Sequence, residues 1–159
     1  MFGIGNKQKK AEKEQRLGAP LITYYEPKSI ISEQYRTLRT NLEFAQVGNQ
    51  VKSIAITSSM PMEGKSTTSA NLAYTMAQTG RNVLIVDSDL RKPTVHRTFK
   101  LNNEQGLTTL LANPELKFNQ VVQKSKELGL YFLPSGPMPP NPAELIGSPQ
   151  MARLMQELS

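Results

Sequence analysis

The sequence predicts an α/β fold in which a parallel sheet is flanked by helices. The prediction depends on three neighbouring segments: an apolar, β-branched strand over 51–57, a helical run over 65–79 and a second strand over 82–86. A strand, a helix and a strand in this order form a βαβ unit, whose crossover is right-handed. The second strand is too apolar to leave one face in water, which is typical of the interior of a parallel sheet.

The composition excludes several classes of function. The chain has 159 residues, of which 38% are hydrophobic, enough for one core. No apolar run approaches the about 20 residues of a membrane-spanning helix, and we expect no export because no apolar stretch follows the basic N-terminus. Since there is no cysteine and His96 is the single histidine, disulfides, thiolate sites and histidine clusters are excluded.

The formal charge is +6, and half of it comes from residues 1–20, which hold five Lys or Arg against two Glu. Such an arm could touch nucleic acid or anionic lipid through their phosphates. It lacks a convincing amphipathic stripe, so a solvated arm is the simpler interpretation. We therefore expect a basic, disordered arm over residues 1–26, a folded domain over residues 27–159 and no nucleic-acid partner.

The first elements are predicted from prolines, a cap and a helical stripe. The segment 21–26 between Pro20 and Pro27 is expected to be extended, and Ser29 is a good N-cap for a helix that begins near Ile30. Gly48 and Asn49 are expected to end this helix. Apolar residues at helical spacing predict the face that it buries against the core: Ile31, Tyr35, Leu38, Leu42 and Ala45.

The later elements are shorter. Helices are predicted over 106–112 and 118–128, and a third strand over 129–133. A proline-rich loop over 137–142 follows. The last segment, 143–159, is helical in composition and is interrupted near Gly147 and Pro149.

The loop over 58–64 carries the first candidate site residues. Backbone N–H groups of such a loop, together with the N-terminus of the next helix, form a cradle for anions. Gly64 lets the backbone approach closely, Lys65 would reach the β- and γ-phosphates, and the Ser66 hydroxyl would bind Mg²⁺. The strict phosphate-loop pattern has glycine where Ser59 stands. A chance Gly-Lys-Ser at a helix start is the alternative interpretation.

An acidic pair after the second strand strengthens the phosphate interpretation. Ligands of open parallel sheets bind at the carboxyl ends of the strands. Asp87 and Asp89, two positions apart at that edge, could hold the water shell of a Mg²⁺ ion and accept a hydroxyl proton. Arg91 and Lys92 could offset negative charge nearby. For Asp87 alone, the alternative is a turn residue at the end of a strand.

Four segments resemble the bacterial tyrosine kinases, the P-loop autokinases that govern capsule and exopolysaccharide synthesis. An altered Walker A motif resembles ITSSMPMEGKSTTSANLA at 56–73, and a second aspartate motif, Walker A′, resembles VLIVDSDLRKP at 83–93. The first helix carries the family's Glu33-x-x-Arg36-x-x-Arg39, and GPMPPNPAELI at 136–146 is also similar. The four segments occur in the family's order.

The resemblance implies a P-loop NTPase-like fold, ATP and Mg²⁺ as cofactors, and phosphorylation of protein tyrosines. It implies catalytic roles for Lys65, Asp87 and Asp89, with Ser66 and Asp87 as metal ligands. In the family Glu33, Arg36 and Arg39 join subunits into a ring; an intrahelical ion pair is the alternative. The residues implied to bind ATP are Ser59, Pro61, Glu63, Gly64, Lys65, Ser66, Thr67 and Arg91.

The resemblance also implies partners and a location. We expect a transmembrane activator of the polysaccharide co-polymerase type, which would hold a cytoplasmic protein at the inner face of the membrane, and protein tyrosines as substrates. The family's Walker B strand and tyrosine cluster would follow the last helical segment, and the sequence ends at Ser159. We therefore expect a truncated copy whose sheet is incomplete at the C-terminus, with poor stability alone and slight catalysis.

Two other functions remain open. A positioning ATPase of the division-site and plasmid-segregation type shares the altered loop and hydrolyses ATP to water. Such proteins usually have a lysine where Met60 stands and lack the PPNPAEL segment, so the kinase is favoured. A non-catalytic copy that still binds the membrane partner is the third possibility.

Overall fold

The computed structural model describes residues 18–45 and 52–158. Residues 1–17, most of the expected arm, and the predicted helix end at Gly48 and Asn49 lie outside them. In chain order the elements are α1 (Ile22–Tyr25), α2 (Ile30–Phe44), α3 (Lys65–Ala77), β1 (Val83–Val86), α4 (Val95–Thr98), α5 (Leu107–Ala112), α6 (Phe118–Val121), β2 (Gln123–Ser125), β3 (Leu130–Leu133), α7 (Pro142–Ile146) and α8 (Pro149–Glu157).

Within the described residues the sheet has the strand order β1-β3-β2. β1 and β3 run parallel, with Val83 opposite Leu130 and Val86 opposite Leu133. Successive side chains of β3 enter two different hydrophobic clusters, because side chains alternate between the faces of a strand. One cluster holds Phe132 with Ile85 and Val95, and the other holds Leu133 with Leu90, Leu107, Leu111, Val121 and Leu154. The predicted α/β class with a parallel pair is confirmed.

Several predicted elements are confirmed closely. The helix after the loop spans Lys65–Ala77, and the strands predicted over 82–86 and 129–133 occupy Val83–Val86 and Leu130–Leu133. The interruption predicted near Gly147 and Pro149 separates α7 from α8. There the Ser148 hydroxyl accepts a hydrogen bond from the Met151 N–H and caps the second helix.

The buried face predicted for the first helix is only partly correct: Tyr35 and Leu42 are half-buried, whereas Ala45 is exposed. Ile31 is 46% exposed and Leu38 37% exposed, while Ser32 is the residue of α2 that is buried. The helix lies against α3 on a different face, where Arg39 Nη1 donates to the Thr75 carbonyl at 2.9 Å. The Ser32 hydroxyl on the same side donates to the Glu26 carbonyl at 2.7 Å. The packed side of the helix therefore carries polar side chains as well as part of the apolar stripe.

Three other local predictions differ from the structure. Residues 52–57 belong to no strand that the structure describes, and Ile54 is 42% exposed. The part of 118–128 after Val121 forms β2, which pairs antiparallel with β3, instead of a continued helix. The segment 21–26 is one helical turn, Ile22–Tyr25, instead of an extended approach. For β2 and for the turn Ile22–Tyr25, contacts distant in sequence accompany the conformation: pairing with β3 in the first case and the bond from Thr23 to Asn71 in the second.

Residues 18–25, which the sequence assigned to the disordered arm, pack on the domain. Leu21 and Thr23 are buried, and the Tyr24 ring meets the Tyr74 ring of α3 edge-on with centroids 5.5 Å apart. The folded region therefore begins before the expected boundary at residue 27. In the described part of the chain no helix is both long enough and apolar enough to cross a bilayer.

Candidate nucleotide site

An open cleft of about 660 Å³ lies between the loop that precedes α3 and the loop that follows β1. The two loops were the two candidate segments of the sequence, and the fold brings them to one edge. A third segment, Gly18–Pro20, also lines the cleft. From the two loops the lining residues are Ser58, Ser59, Met60, Pro61, Met62, Gly64, Lys65, Ser66, Thr67, Asp89, Arg91, Lys92 and Thr94.

The loop before α3 ends in a left-handed glycine that starts the helix. Gly64 has φ +83° at the N-cap position, and its carbonyl accepts the Thr68 N–H at 2.8 Å. Met62 also has a positive φ, +67°, in the region that favours glycine. The Glu63 carboxylate accepts the Met60 N–H at 3.2 Å and so closes the loop on itself. The open N–H groups at the start of α3 and the positive end of its dipole favour an anion here.

Lys65 is the first residue of α3, and its ammonium group donates to the Ser58 hydroxyl at 2.9 Å, across the mouth of the loop. Ser66 and Thr67 follow in the first turn and line the same cleft. A half-buried ammonium with a neutral partner remains available to an anion. Except for Glu63, which does not line the cleft, the residues of this segment that are predicted to bind ATP meet at one place, and their binding of ATP stays a prediction.

Asp87 lies behind the cleft surface, not on it. Its side chain is 5% exposed, and its carboxylate accepts N–H groups of the loop that follows β1. Oδ1 accepts from Asp89 at 3.2 Å, and Oδ2 accepts from Thr94 at 3.2 Å and Val95 at 3.0 Å. This geometry supports the turn-residue interpretation. A metal or catalytic role for Asp87 stays a prediction, because a carboxylate can accept further partners.

Burial raises the pKa of Asp87, although the N–H groups of Val95, Asp89 and Thr94 act in the opposite direction. The folded chain therefore holds this proton more tightly than the unfolded chain, and Asp87 favours folding less as the pH rises from about 3.8 through the raised pKa. We expect the free energy of unfolding of the wild type, relative to Asp87→Asn, to fall across that window in urea titrations. Glu115→Gln, at an exposed carboxylate, is the control. If the free energy of unfolding of the wild type relative to Asp87→Asn rises with pH, the raised pKa of Asp87 is contradicted.

Asp89 is the acidic residue that lines the cleft. Its Oδ1 accepts the N–H groups of Arg91 at 3.3 Å and Lys92 at 2.9 Å, so the aspartate and the two cations are held in one tight turn. Negative and positive side chains thus face the loop that carries Lys65. In the ranges 18–45 and 52–158, no group of three or more histidine and carboxylate side chains could hold a metal by itself.

The predicted ring residues lie on α2, away from the cleft. Arg36 forms an ion pair with Glu33 within the helix and donates to the Pro27 carbonyl at 2.6 Å. Arg39 is directed at α3 through its bond to Thr75. The ion-pair alternative is therefore realised within one chain, and the role of these residues between subunits stays a prediction.

Sequence reasoning missed Asn71 and the segment Gly18–Pro20. Asn71, fully buried in α3, accepts the N–H of Thr23 at 2.8 Å and its hydroxyl at 2.9 Å. Its amide donates to the carbonyls of Pro20 and Thr67, both at 2.8 Å. The signal in the sequence is an asparagine among small and apolar neighbours in a predicted helix, in the run ANLA at 70–73. A buried amide needs partners, but the sequence does not say where they are.

The fold and the cleft define a P-loop domain: an α/β fold with a parallel strand pair and a Gly-Lys-Ser sequence at the start of a helix. Residues 51–152 match the AAA domain family.

Tyrosine-protein kinase YwqD of Bacillus subtilis (strain 168) is 55% identical over 142 residues, which are 89% of this chain and 60% of that protein. Two solved structures are similar. The chimerical protein CapA2B2 has TM-score 0.80 and 46% identity over 89% of this chain and 64% of its own. The kinase domain of Escherichia coli tyrosine kinase ETK has a TM-score of 0.78 and 33% sequence identity, and the match covers 87% of this chain and 54% of that domain's chain.

The chain belongs to the AAA domain family, and the relatives to which it is similar are named tyrosine kinases of bacteria. It spans about 60% of the length of YwqD. The resemblance noted in the sequence is therefore confirmed as a family relationship.

Proposed function

We propose that this chain is the nucleotide-binding part of a protein-tyrosine kinase that uses ATP and Mg²⁺ and regulates capsular or exopolysaccharide synthesis. One observation carries the proposal: Lys65 and Ser66, at the start of α3, and Asp89, in the loop after β1, line a single cleft. The family relationship supports the choice of tyrosine as the acceptor, since the similar proteins are named tyrosine kinases.

The cleft residues would have different roles in phosphoryl transfer. The N–H groups at the start of α3 and the Lys65 ammonium would bind the β- and γ-phosphates. The tyrosine oxygen would bond to the γ-phosphorus while the bond to the bridging oxygen of ADP breaks, and the phenol proton would pass to a carboxylate. Asp89 is the better placed base because it lines the cleft, whereas Asp87 is buried behind it. Asp87 would instead hold the loop in shape.

The donors in the cleft fit Mg²⁺. This ion usually keeps several waters and takes only one or two protein ligands besides phosphates, so a hydroxyl at Ser66 and a nearby aspartate suffice. When bound, Mg²⁺ would neutralise charge that develops on the phosphate oxygens. The absence of a larger acidic cluster among the described residues agrees with such a site.

The fate of the γ-phosphate distinguishes the three candidate functions. We expect the purified chain, incubated with γ-labelled ATP, Mg²⁺ and a tyrosine-containing copolymer, to place label on tyrosine at a low rate, because the proposed activator is not present. A positioning ATPase would release the label as inorganic phosphate in the same assay. A non-catalytic copy would bind nucleotide in calorimetry without either product. Phosphate release without phosphotyrosine would contradict the kinase assignment.

We also propose that the chain associates with copies of itself through α2. Ile30 is 79% exposed and Phe44 71% exposed, and Ile31 and Leu38 add further apolar surface to this helix. Exposed apolar side chains on one helix are typical of an interface. Leu38→Glu should lower the molar mass in light scattering, whereas Gln34→Glu, an added charge at an exposed position of the same helix, should change it less. An unchanged mass for Leu38→Glu would contradict this interface.

The membrane partner and the location rest on the family alone. We propose a transmembrane activator of the polysaccharide co-polymerase type, which holds the chain at the cytoplasmic face of the membrane. Protein tyrosines, including those of the kinase itself, would be the substrates, so the protein would be a phosphoprotein.

A further inference from the structure

We propose that Gly18–Pro20 form a third wall of the phosphate-binding cleft and that this wall contributes to the binding of a nucleoside triphosphate. The inference rests on the proposed function and adds binding residues far from the phosphate loop. Asn71 and Thr98 act as positioning residues, since both hold the wall and neither lines the cleft.

The wall is fixed at two points. Ala19 donates its N–H to the Thr98 hydroxyl at 2.7 Å. The Pro20 carbonyl accepts the Asn71 amide at 2.8 Å, and the same amide donates to the Thr67 carbonyl. Thr67 itself lines the cleft, so one buried side chain links the wall directly to the first turn of α3.

The two fixed points lie on the helices that follow the two halves of the site. α3 begins with Lys65, and α4 follows the loop that carries Asp89. The segment Gly18–Pro20 therefore bridges the two halves and limits how far they separate. A bridge of this kind sets the width of the cleft, which decides how well charged groups on both sides reach one phosphate chain.

The backbone at Gly18 leaves no room for a side chain. Its φ is +85°, and a Cβ would lie 2.5 Å from the Thr98 backbone N and 2.6 Å from its Cα. A side chain at this position therefore displaces the wall, while the phosphate loop keeps its own residues.

Two variants of the full chain test the wall, each with a matched control. Gly18→Ala should displace the wall and weaken Mg²⁺–ATP binding about tenfold, and Thr98→Val should weaken it about threefold by removing the Ala19 bond. Gly80→Ala has the same backbone strain, φ +82°, with nothing within 4 Å. Thr79→Val removes a hydroxyl bonded only locally to the Met76 carbonyl. Both controls should bind within about twofold of the wild type.

Affinity is measured by calorimetry at a temperature where circular dichroism shows every variant folded, so a merely structural role would alter melting but not affinity. If Gly18→Ala and Thr98→Val both bind ATP as tightly as the wild type while Lys65→Met loses binding, the role of Gly18–Pro20 in binding is wrong. The proposed function would remain intact. No nucleotide binding by the wild type would overturn the proposed function and the wall with it.

Discussion

Replacing Lys65 by methionine is expected to reduce phosphotyrosine formation at least about 100-fold. Methionine keeps much of the length of the side chain but removes its charge, so the phosphates lose a cation that the start of α3 directs into the cleft. Among the residues that the structure describes, the ammonium bonds to the Ser58 hydroxyl at the loop mouth. Its loss should therefore change the free energy of unfolding by less than about 1 kcal/mol.

Label transfer from γ-labelled ATP to a tyrosine copolymer measures this effect, with urea unfolding of the same samples to separate chemistry from folding. Lys126→Met is the matched control, because Lys126 is exposed in the turn between β2 and β3. Labelling by Lys65→Met at the level of the wild type would contradict the phosphate-binding role of the loop.

The location of the candidate site could be predicted from sequence because its residues are contiguous in two short segments. A glycine, a lysine and a serine at a helix start have a local meaning, since the helix N-terminus itself supplies the binding groups. The aspartates at the end of β1 could be placed at the same edge because the strand direction fixes that edge. Both segments line the cleft, with Asp89 at the surface and Asp87 behind it.

The remaining errors concern contacts that no local pattern encodes. The apolar residues over 52–57 have strand propensity, but a strand also needs a neighbouring backbone, and none of the described ladders includes them. The stripe on α2 predicts a core-facing side, yet Ile31 and Leu38 are exposed and Arg39 on another side bonds to Thr75 of α3. Apolar periodicity predicts that a helix forms; it does not distinguish a core from an interface with another molecule.

The same limit explains why the N-terminal segment was assigned to the arm. Charge and proline content are average properties of residues 1–26. The structure of residues 18–25 depends in addition on a contact with Asn71, which lies 48 positions after Thr23 in sequence. The buried amide outweighs composition here because the N–H of the buried residue Thr23 would otherwise lose its partner in the interior. Asn71, the Thr98 hydroxyl and the Tyr74 ring together hold this segment on the domain.

Asn71→Ala is consequently expected to lower the free energy of unfolding by about 2–4 kcal/mol. The substitution leaves the Thr23 N–H and the carbonyls of Pro20 and Thr67 without the partners that the amide supplied. Alanine favours helices more than asparagine does, so the loss would arise from these buried groups and not from the helix.

Denaturant unfolding of Asn71→Ala, Thr23→Val and the double variant measures the effect and its origin. If the hydroxyl bond between the two side chains contributes, the losses should fall short of additive by about 0.5–2 kcal/mol. Asn41→Ala, at an exposed position of α2, makes the same change of side chain and should alter stability by no more than about 0.5 kcal/mol. Equal losses in Asn71→Ala and Asn41→Ala would show that the amide does not hold the N-terminal segment, and the wall of the cleft would lose its anchor on α3.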